Sequence, residues 1–153
     1  MEKSNLDRCF DYLKRLDFDG AIIEFSKIIA IDKDNAGAYV GRGNAFLEKG
    51  EHENALKDFI AAIKINPDFA IAYYFRGVIY AQKGETEKAI KEYTNAIEID
   101  PNYAEAYYNR GNVYMNMGDL DKAIEDYTQA TKLDPKNEEY KENLKKAKAK
   151  RGY

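Results

Sequence analysis

The chain holds a single cysteine, Cys9, so no internal disulfide can brace it. It also holds a single histidine, His52, far from Cys9 in sequence. That pair gives no metal-ligand cluster of recognisable spacing, and neither metal nor other cofactor is expected. Nucleophilic catalysis would need a base and an orienting partner beside the nucleophile, and none is indicated, so the chain is not expected to be an enzyme. No phosphate-cradling GxxxxGK[ST] run occurs. No stretch approaches eighteen uninterrupted apolar residues, and the opening MEKSNLDRCFDYLKRLDFDG lacks the apolar region of a signal peptide. A cytoplasmic setting without membrane contact is the expectation. Basic residues are not in excess either: 24 Lys and Arg stand against 27 Asp and Glu, for a net charge of -3. A nucleic-acid backbone needs a dense cationic face, so no nucleic-acid partner is expected.

What is present is a globular composition of 153 residues, 44% hydrophobic and 33% charged, rich in residues that favour helix. One domain over residues 1–153 is the expectation. Charge is uneven. Residues 138–153 carry six Lys or Arg against three Glu, while the other 137 residues carry 18 basic and 24 acidic side chains. A solvated terminal helix accounts for that basic end. Met1 and the polar last segment lead us to expect a whole chain.

The dominant feature is a period of 34 residues. Pro67, Pro101 and Pro135 keep it, as do Gly43, Gly77 and Gly111, and again Gly50, Gly84 and Gly118. Ala21, Ala55, Ala89 and Ala123 follow the same step, as do Phe25, Phe59, Tyr93 and Tyr127. A period of this length marks a repeat architecture, in which each unit buries its apolar face against its neighbours.

Each repeat reads as two helices. Tyr73, Gly77 and Tyr80 make one stripe at i, i+4 and i+7. Gly84 ends that helix in a left-handed turn. Ala89, Ile90, Tyr93, Ala96 and Ile97 form the stripe of a second helix. Pro101 has no backbone N–H and biases Asp100 away from helix, which ends the pair. Gly77 and Ala89 let the two helices approach closely. His52 falls in the turn between such helices, and Cys9 stands where later repeats place Gly.

These residues carry a resemblance. AEAYYNRGNVYMNMGDLDKAIEDYTQATKLDP (104–135) resembles the tetratricopeptide repeat. The resemblance covers residues 2–137 as four units, 2–35, 36–69, 70–103 and 104–137, with 138–151 as a capping helix. The first unit departs most, with Asn5, Cys9, Leu16 and Lys33 in place of an aromatic, a Gly, the turn Gly and the Pro. The implied fold is all-α, a right-handed superhelical solenoid of antiparallel helix pairs. The implied function is a protein-interaction module or adaptor whose first helices line a concave groove that binds peptides.

A second stripe on each first helix is the candidate groove: Val40, Asn44 and Leu47, then Tyr74 and Val78, then Tyr108, Asn112 and Met115. The aliphatic members face either the neighbouring repeat or the groove. Tyr pairs an apolar ring with a polar tip, which suits a half-exposed recognition surface. Asn44 and Asn112 share one slot, where the resemblance implies a hydrogen bond to a bound peptide's main chain. Glu48, Gln82 and Asn116 follow as polar tips at the groove edge.

Family members that bind acidic chaperone tails use a carboxylate clamp of Lys, Asn, Asn, Lys and Arg. The corresponding slots here read Leu6, Phe10, Gly41, Ile71 and Phe75. One repeat on they read Val40, Asn44, Phe75, Glu105 and Asn109, and one further Tyr74, Val78, Asn109, Glu139 and Asn143. The clamp is absent, and a protein or peptide with a partly apolar segment is the expected partner. Arg8, Arg42, Arg76 and Arg110 recur beside Glu24, Asp58, Glu92 and Asp126, which reads as an internal ion pair in each repeat. A self-assembling scaffold is the alternative, with Leu6 and Phe10 as its apolar surface. Single-stranded RNA binding, with Tyr74 and Tyr108 stacking bases, is a third reading that the acidic body opposes.

Overall fold

The computed structural model describes the backbone of residues 5–152 and the side chains of residues 8–152. Among the described residues there are nine helices and no strands. They are α1 (Asn5–Lys14), α2 (Phe18–Ile31), α3 (Ala36–Glu48), α4 (His52–Ile65), α5 (Ala70–Gln82), α6 (Thr86–Ile99), α7 (Ala104–Met117), α8 (Leu120–Leu133) and α9 (Glu138–Arg151). The architecture is an all-α helical repeat of four helix pairs followed by a last helix. His52 opens α4, so the turn before it is shorter than the sequence suggests. Contacts divide the chain into two compact units, Met1–Phe75 and Arg76–Tyr153, with the boundary inside α5.

The turns follow from local chemistry. Between the helices of a pair, Gly50, Gly84 and Gly118 take φ of 76°, 74° and 81°. Glycine enters this left-handed region without a Cβ penalty. Leu16 holds the same turn in the first repeat at φ 61°, the one non-glycine with positive φ among the described residues. Between pairs, the carboxylate or amide oxygen of Asp32, Asn66 and Asp100 accepts from the backbone N–H two residues on, at 3.1, 3.1 and 3.0 Å. These side-chain turns form with or without the following proline, so the first repeat keeps its turn with Lys33 in that place.

In Met1–Phe75, α1 packs on α2, α2 on α3 and α3 on α4. Cys9, Ala21, Phe25, Ala38 and Ala45 form a buried cluster there. In Arg76–Tyr153, α7 packs on α6 and α8, and α8 on α9. Ala123, Tyr127 and Ala147 form one buried cluster, and Ala104, Ala130 and Tyr140 another. The small columns have a steric cause. A Cβ added at Gly43, Gly77 or Gly111 would lie 2.7, 2.7 or 2.9 Å from the ring of Phe59, Tyr93 or Tyr127. Each ring fills the space that the missing side chain leaves open.

Beside each ring sits a charge pair. Arg42 donates to both oxygens of Asp58 at 2.8 and 2.7 Å, and to Ser26 Oγ at 3.1 Å. Arg110 repeats the pattern with Asp126, at 2.8 Å twice, and with Thr94 Oγ1 at 3.0 Å. In the third repeat the longer Glu92 accepts from Arg76 Nη2 at 2.5 Å through one oxygen, and its Oε2 is buried without a hydrogen-bond partner. The first repeat differs: Glu24 pairs with Lys27 at 2.6 Å. The arginine ladder therefore ties helices together in repeats two to four.

Leu16 is also 73% exposed, so its side chain gives little packing in return for its backbone conformation. Leu16→Gly relieves a left-handed conformation that costs a branched residue about 1–2 kcal/mol, partly offset by the greater freedom of glycine in the unfolded chain. The expected result is a gain of about 0.5–1 kcal/mol in thermal or denaturant unfolding followed by circular dichroism. Gly50→Ala, in the equivalent turn, should shift stability in the opposite direction.

Candidate functional site

Two adjoining cavities open on the Arg76–Tyr153 unit. The first, about 310 Å³, is lined by Val78, Ala81 and Gln82 of α5, Thr86 and Tyr93 of α6, and Asn109, Asn112, Val113 and Asn116 of α7. The second, about 370 Å³, is lined by Asn112, Met115 and Asn116 of α7, Tyr127 of α8, and Asn143 and Lys146 of α9. Asn112 and Asn116 form the ridge that both share. The first cavity has an aliphatic floor and no charged group in its lining. The second has one cation, Lys146, and no carboxylate. Carboxamides from three helices edge the cleft, and each carries donor and acceptor groups together.

The sequence candidates on this unit are placed unequally. Val78 and Met115 line the cavities directly. Asn112 Oδ1 accepts from the Tyr127 hydroxyl at 2.7 Å, so its oxygen is already used within the repeat. Tyr108 belongs to the joint with α9. Its hydroxyl donates to Glu139 Oε1 at 2.8 Å and accepts from Asn143 Nδ2 at 2.7 Å. Its ring stacks on Tyr140 with centroids 4.6 Å apart. Burial, then the hydrogen bond to Glu139, holds the Tyr108 phenol well above the usual tyrosine range, with Asn112 opposing. Tyr127 is pushed up to about 12, by burial first and by Asp126 second.

On the Met1–Phe75 unit the corresponding face is mostly apolar, with Asn44 as its amide. Val40 and Leu47 are each only 7% exposed, which leaves a narrow edge of either for a ligand. Asn44 is half-buried. Phe59 stacks on Phe75 at 5.4 Å, and Tyr74 meets Phe75 edge-on at 5.2 Å. Phe10 packs edge-on against Phe25 at 5.7 Å and stays 41% exposed. The side chain of Leu6 lies outside the described residues.

Asn109, Asn143, Lys146 and Thr86 line the cleft without having been singled out from the sequence. A signal for two of them was there: Asn109 and Asn143 are one period apart, in a slot read only for the charges of a clamp. Gln82 and Asn116, expected as polar tips, do lie at the cleft. Burial, then Glu24, pushes the Cys9 thiol up, which disfavours the reactive thiolate. Among the described residues no group of three or more His, Cys, Asp or Glu could hold a metal ion, and no helix is long and apolar enough to cross a membrane.

Comparison with known proteins agrees with this architecture. Residues 43–84 and 77–118 match a family model described as TPR repeat, and residues 104–137 match one described as tetratricopeptide repeat. Among solved structures, the crystal structure of MamA protein is similar at 28% identity, over 97% of this chain and 81% of that one, with a TM-score of 0.79. TTC0263, a thermophilic TPR protein in Thermus thermophilus, is similar at 25% identity, over 91% and 77%, with a TM-score of 0.80. YrrB, a TPR protein with an unusual peptide-binding site, is similar at 22% identity, over 96% and 76%, with a TM-score of 0.72, a likeness that shows the fold alone. No curated protein matches.

The raised tyrosines give the fold an alkaline limit. Unfolded, Tyr108 and Tyr127 ionise near pH 10; folded, both keep their protons higher. Their contribution to stability is therefore complete below about pH 10; that of Tyr127 is lost as pH rises through about 12, and that of Tyr108 only at higher pH. Tyr127→Phe removes this group's share of the loss and costs about 1 kcal/mol at neutral pH, because Asn112 Oδ1 loses its donor. Urea midpoints across the alkaline range, for wild type and variant, measure both effects.

Proposed function

This chain belongs to the tetratricopeptide-repeat family, and from that premise we propose that it holds an extended, partly apolar segment of a partner protein in the cleft of α5, α7 and α9. The general role, protein–protein interaction, goes with the family; the location and the kind of ligand are our reading. One observation carries it: two adjoining cavities that combine an aliphatic floor with a rim of carboxamides. The floor favours apolar side chains, while amides pair with main-chain N–H and C=O groups without selecting a side chain. Asn116 and Gln82 are the solvent-facing amides best placed for that work, while Asn112 is held by Tyr127 and Tyr108. Val78 and Met115 supply apolar contact. The reading involves neither catalysis nor a cofactor, and it takes the protein to work in the cytoplasm.

The arginine forks count against nucleic acid, because Arg42, Arg76 and Arg110 are each held by an acid of their own repeat. Self-assembly keeps a specific observation in its favour. Phe10, Leu16, Ile23, Ile31 and Ile60, all on the Met1–Phe75 unit, are large apolar residues that stay exposed. Such residues suit contact with another protein surface, a second copy included.

Panning a random peptide display library against the folded protein tests the cleft. The expected result is a recurring set of sequences whose binding weakens about tenfold or more in Val78→Arg and in Asn116→Leu, at unchanged melting temperature. Tyr108→Ala is unsuitable as a probe because it also breaks the joint to α9. Peptides that bind both variants like wild type would move the site elsewhere. Light scattering that shows growth with concentration, and no selected peptides, would favour assembly.

A further inference from the structure

The two cavities differ in charge, and the difference has a direction. On α7 the ridge positions are Asn112 and Asn116. One period later, on α9, the same two positions are Lys146 and Lys150. The amide column thus becomes cationic at the last helix, and Lys146 lines the second cavity. Its partner is Glu142, one turn earlier at 2.7 Å, with both side chains more than half exposed. An exposed pair of this kind is weak and readily exchanged for another carboxylate. Glu139, the acid that faces the same joint, is engaged by the Tyr108 hydroxyl. The first cavity carries Val78, Ala81 and Val113 and no charge at all.

We infer that the cavities are unequal subsites for one ligand: an extended peptide segment with an aliphatic side chain in the Val78 cavity and acidic side chains running toward Lys146 and Lys150. This rests on the cleft reading above and goes beyond it by giving the ligand a charge and an orientation. Residues four apart on a helix stand about 5–6 Å apart at Cβ. Alternate residues of an extended strand stand about 6.6–6.8 Å apart on one side, so two lysines at this spacing match Asp or Glu at alternate positions. Lys146 falls in the column of Phe10, Asn44, Val78 and Asn112, where the clamp carries its first Asn. Both lysines stand on α9 alone, however, and do not form the convergent cations, drawn from three first helices, that suit a chain terminus. A terminus is therefore not the ligand group assigned here.

The test is fluorescence anisotropy with short labelled peptides built on one aliphatic residue. One arm carries alternating Asp with an amidated end, one carries Asn in those places, one carries Lys, and one carries Asn with a free carboxyl end. The expected order is Asp tightest, by about tenfold over the Asn arm at low salt, with Lys weakest and added salt closing the gap. Lys146→Glu/Lys150→Glu should abolish the Asp advantage while leaving the Asn arm and the helical circular dichroism unchanged. Equal binding of the Asp and Asn arms, still lost in Val78→Arg and Asn116→Leu, overturns the acidic subsite and leaves the cleft standing. A free carboxyl end that binds while internal Asp does not also overturns it, in favour of a terminus. Binding of every arm that ignores Val78→Arg and Asn116→Leu overturns the cleft itself.

Discussion

A ring on the second helix of repeats two to four occupies the space where a glycine on the first helix has no side chain, and the rest of the structure is arranged around that contact. Phe59 against Gly43, Tyr93 against Gly77 and Tyr127 against Gly111 leave no room for a Cβ. The contact fixes how closely the two helices of a pair approach. It also sets the reach of the neighbouring Arg, sixteen residues before its acid in every fork. With that distance fixed, Asp58 and Asp126 accept two hydrogen bonds each, and the extra methylene of Glu92 leaves one oxygen unused. Such forks are costly to desolvate, so their value lies as much in fixing geometry as in adding stability.

The same ring writes the chemistry of the face that could bind a partner. Where the ring is Phe, its neighbours are apolar: Phe25 lies where a Cβ on Gly41 would clash, and Phe59 stacks on Phe75. Where the ring is Tyr, it lines a cavity that amides line as well. Tyr93 and Asn109 line one cavity, and Tyr127 shares the next with Asn112 and Asn143. The Tyr127 hydroxyl takes Asn112 as the polar partner that a buried hydroxyl requires. Function in this fold rests on such substitutions along an otherwise constant frame.

The frame was legible because it is written many times over. Each turn glycine, alanine and ring recurs at one spacing, so single departures did not hide it. Cys9 in a glycine slot is buried, and Leu16 takes the left-handed turn that glycine takes elsewhere. The site was less legible, because spacing shows which side chains share a face and not what they touch. Val40 and Leu47 share the groove stripe yet are buried by packing. Asn112 looked like an open amide, but a hydroxyl fifteen residues later claims its oxygen. Tyr108 looked like a free ring, but α9, with Glu139, Tyr140 and Asn143, encloses it. Lys146 reads as one of several lysines on a solvated helix until α9 is seen to continue the first-helix column.

The central claim is that the carboxamides of α5, α7 and α9 are the contact surface. Side-chain NH2 resonances of Asn and Gln report on it directly in a heteronuclear NMR titration with a peptide selected for binding. The account predicts that Gln82, Asn109, Asn112 and Asn116 shift together and saturate at one ligand concentration, while amides remote from the cleft, such as Asn54 and Asn66, stay still. Shifts confined to the outer faces of α6 and α8, with the cleft amides unmoved, would contradict it.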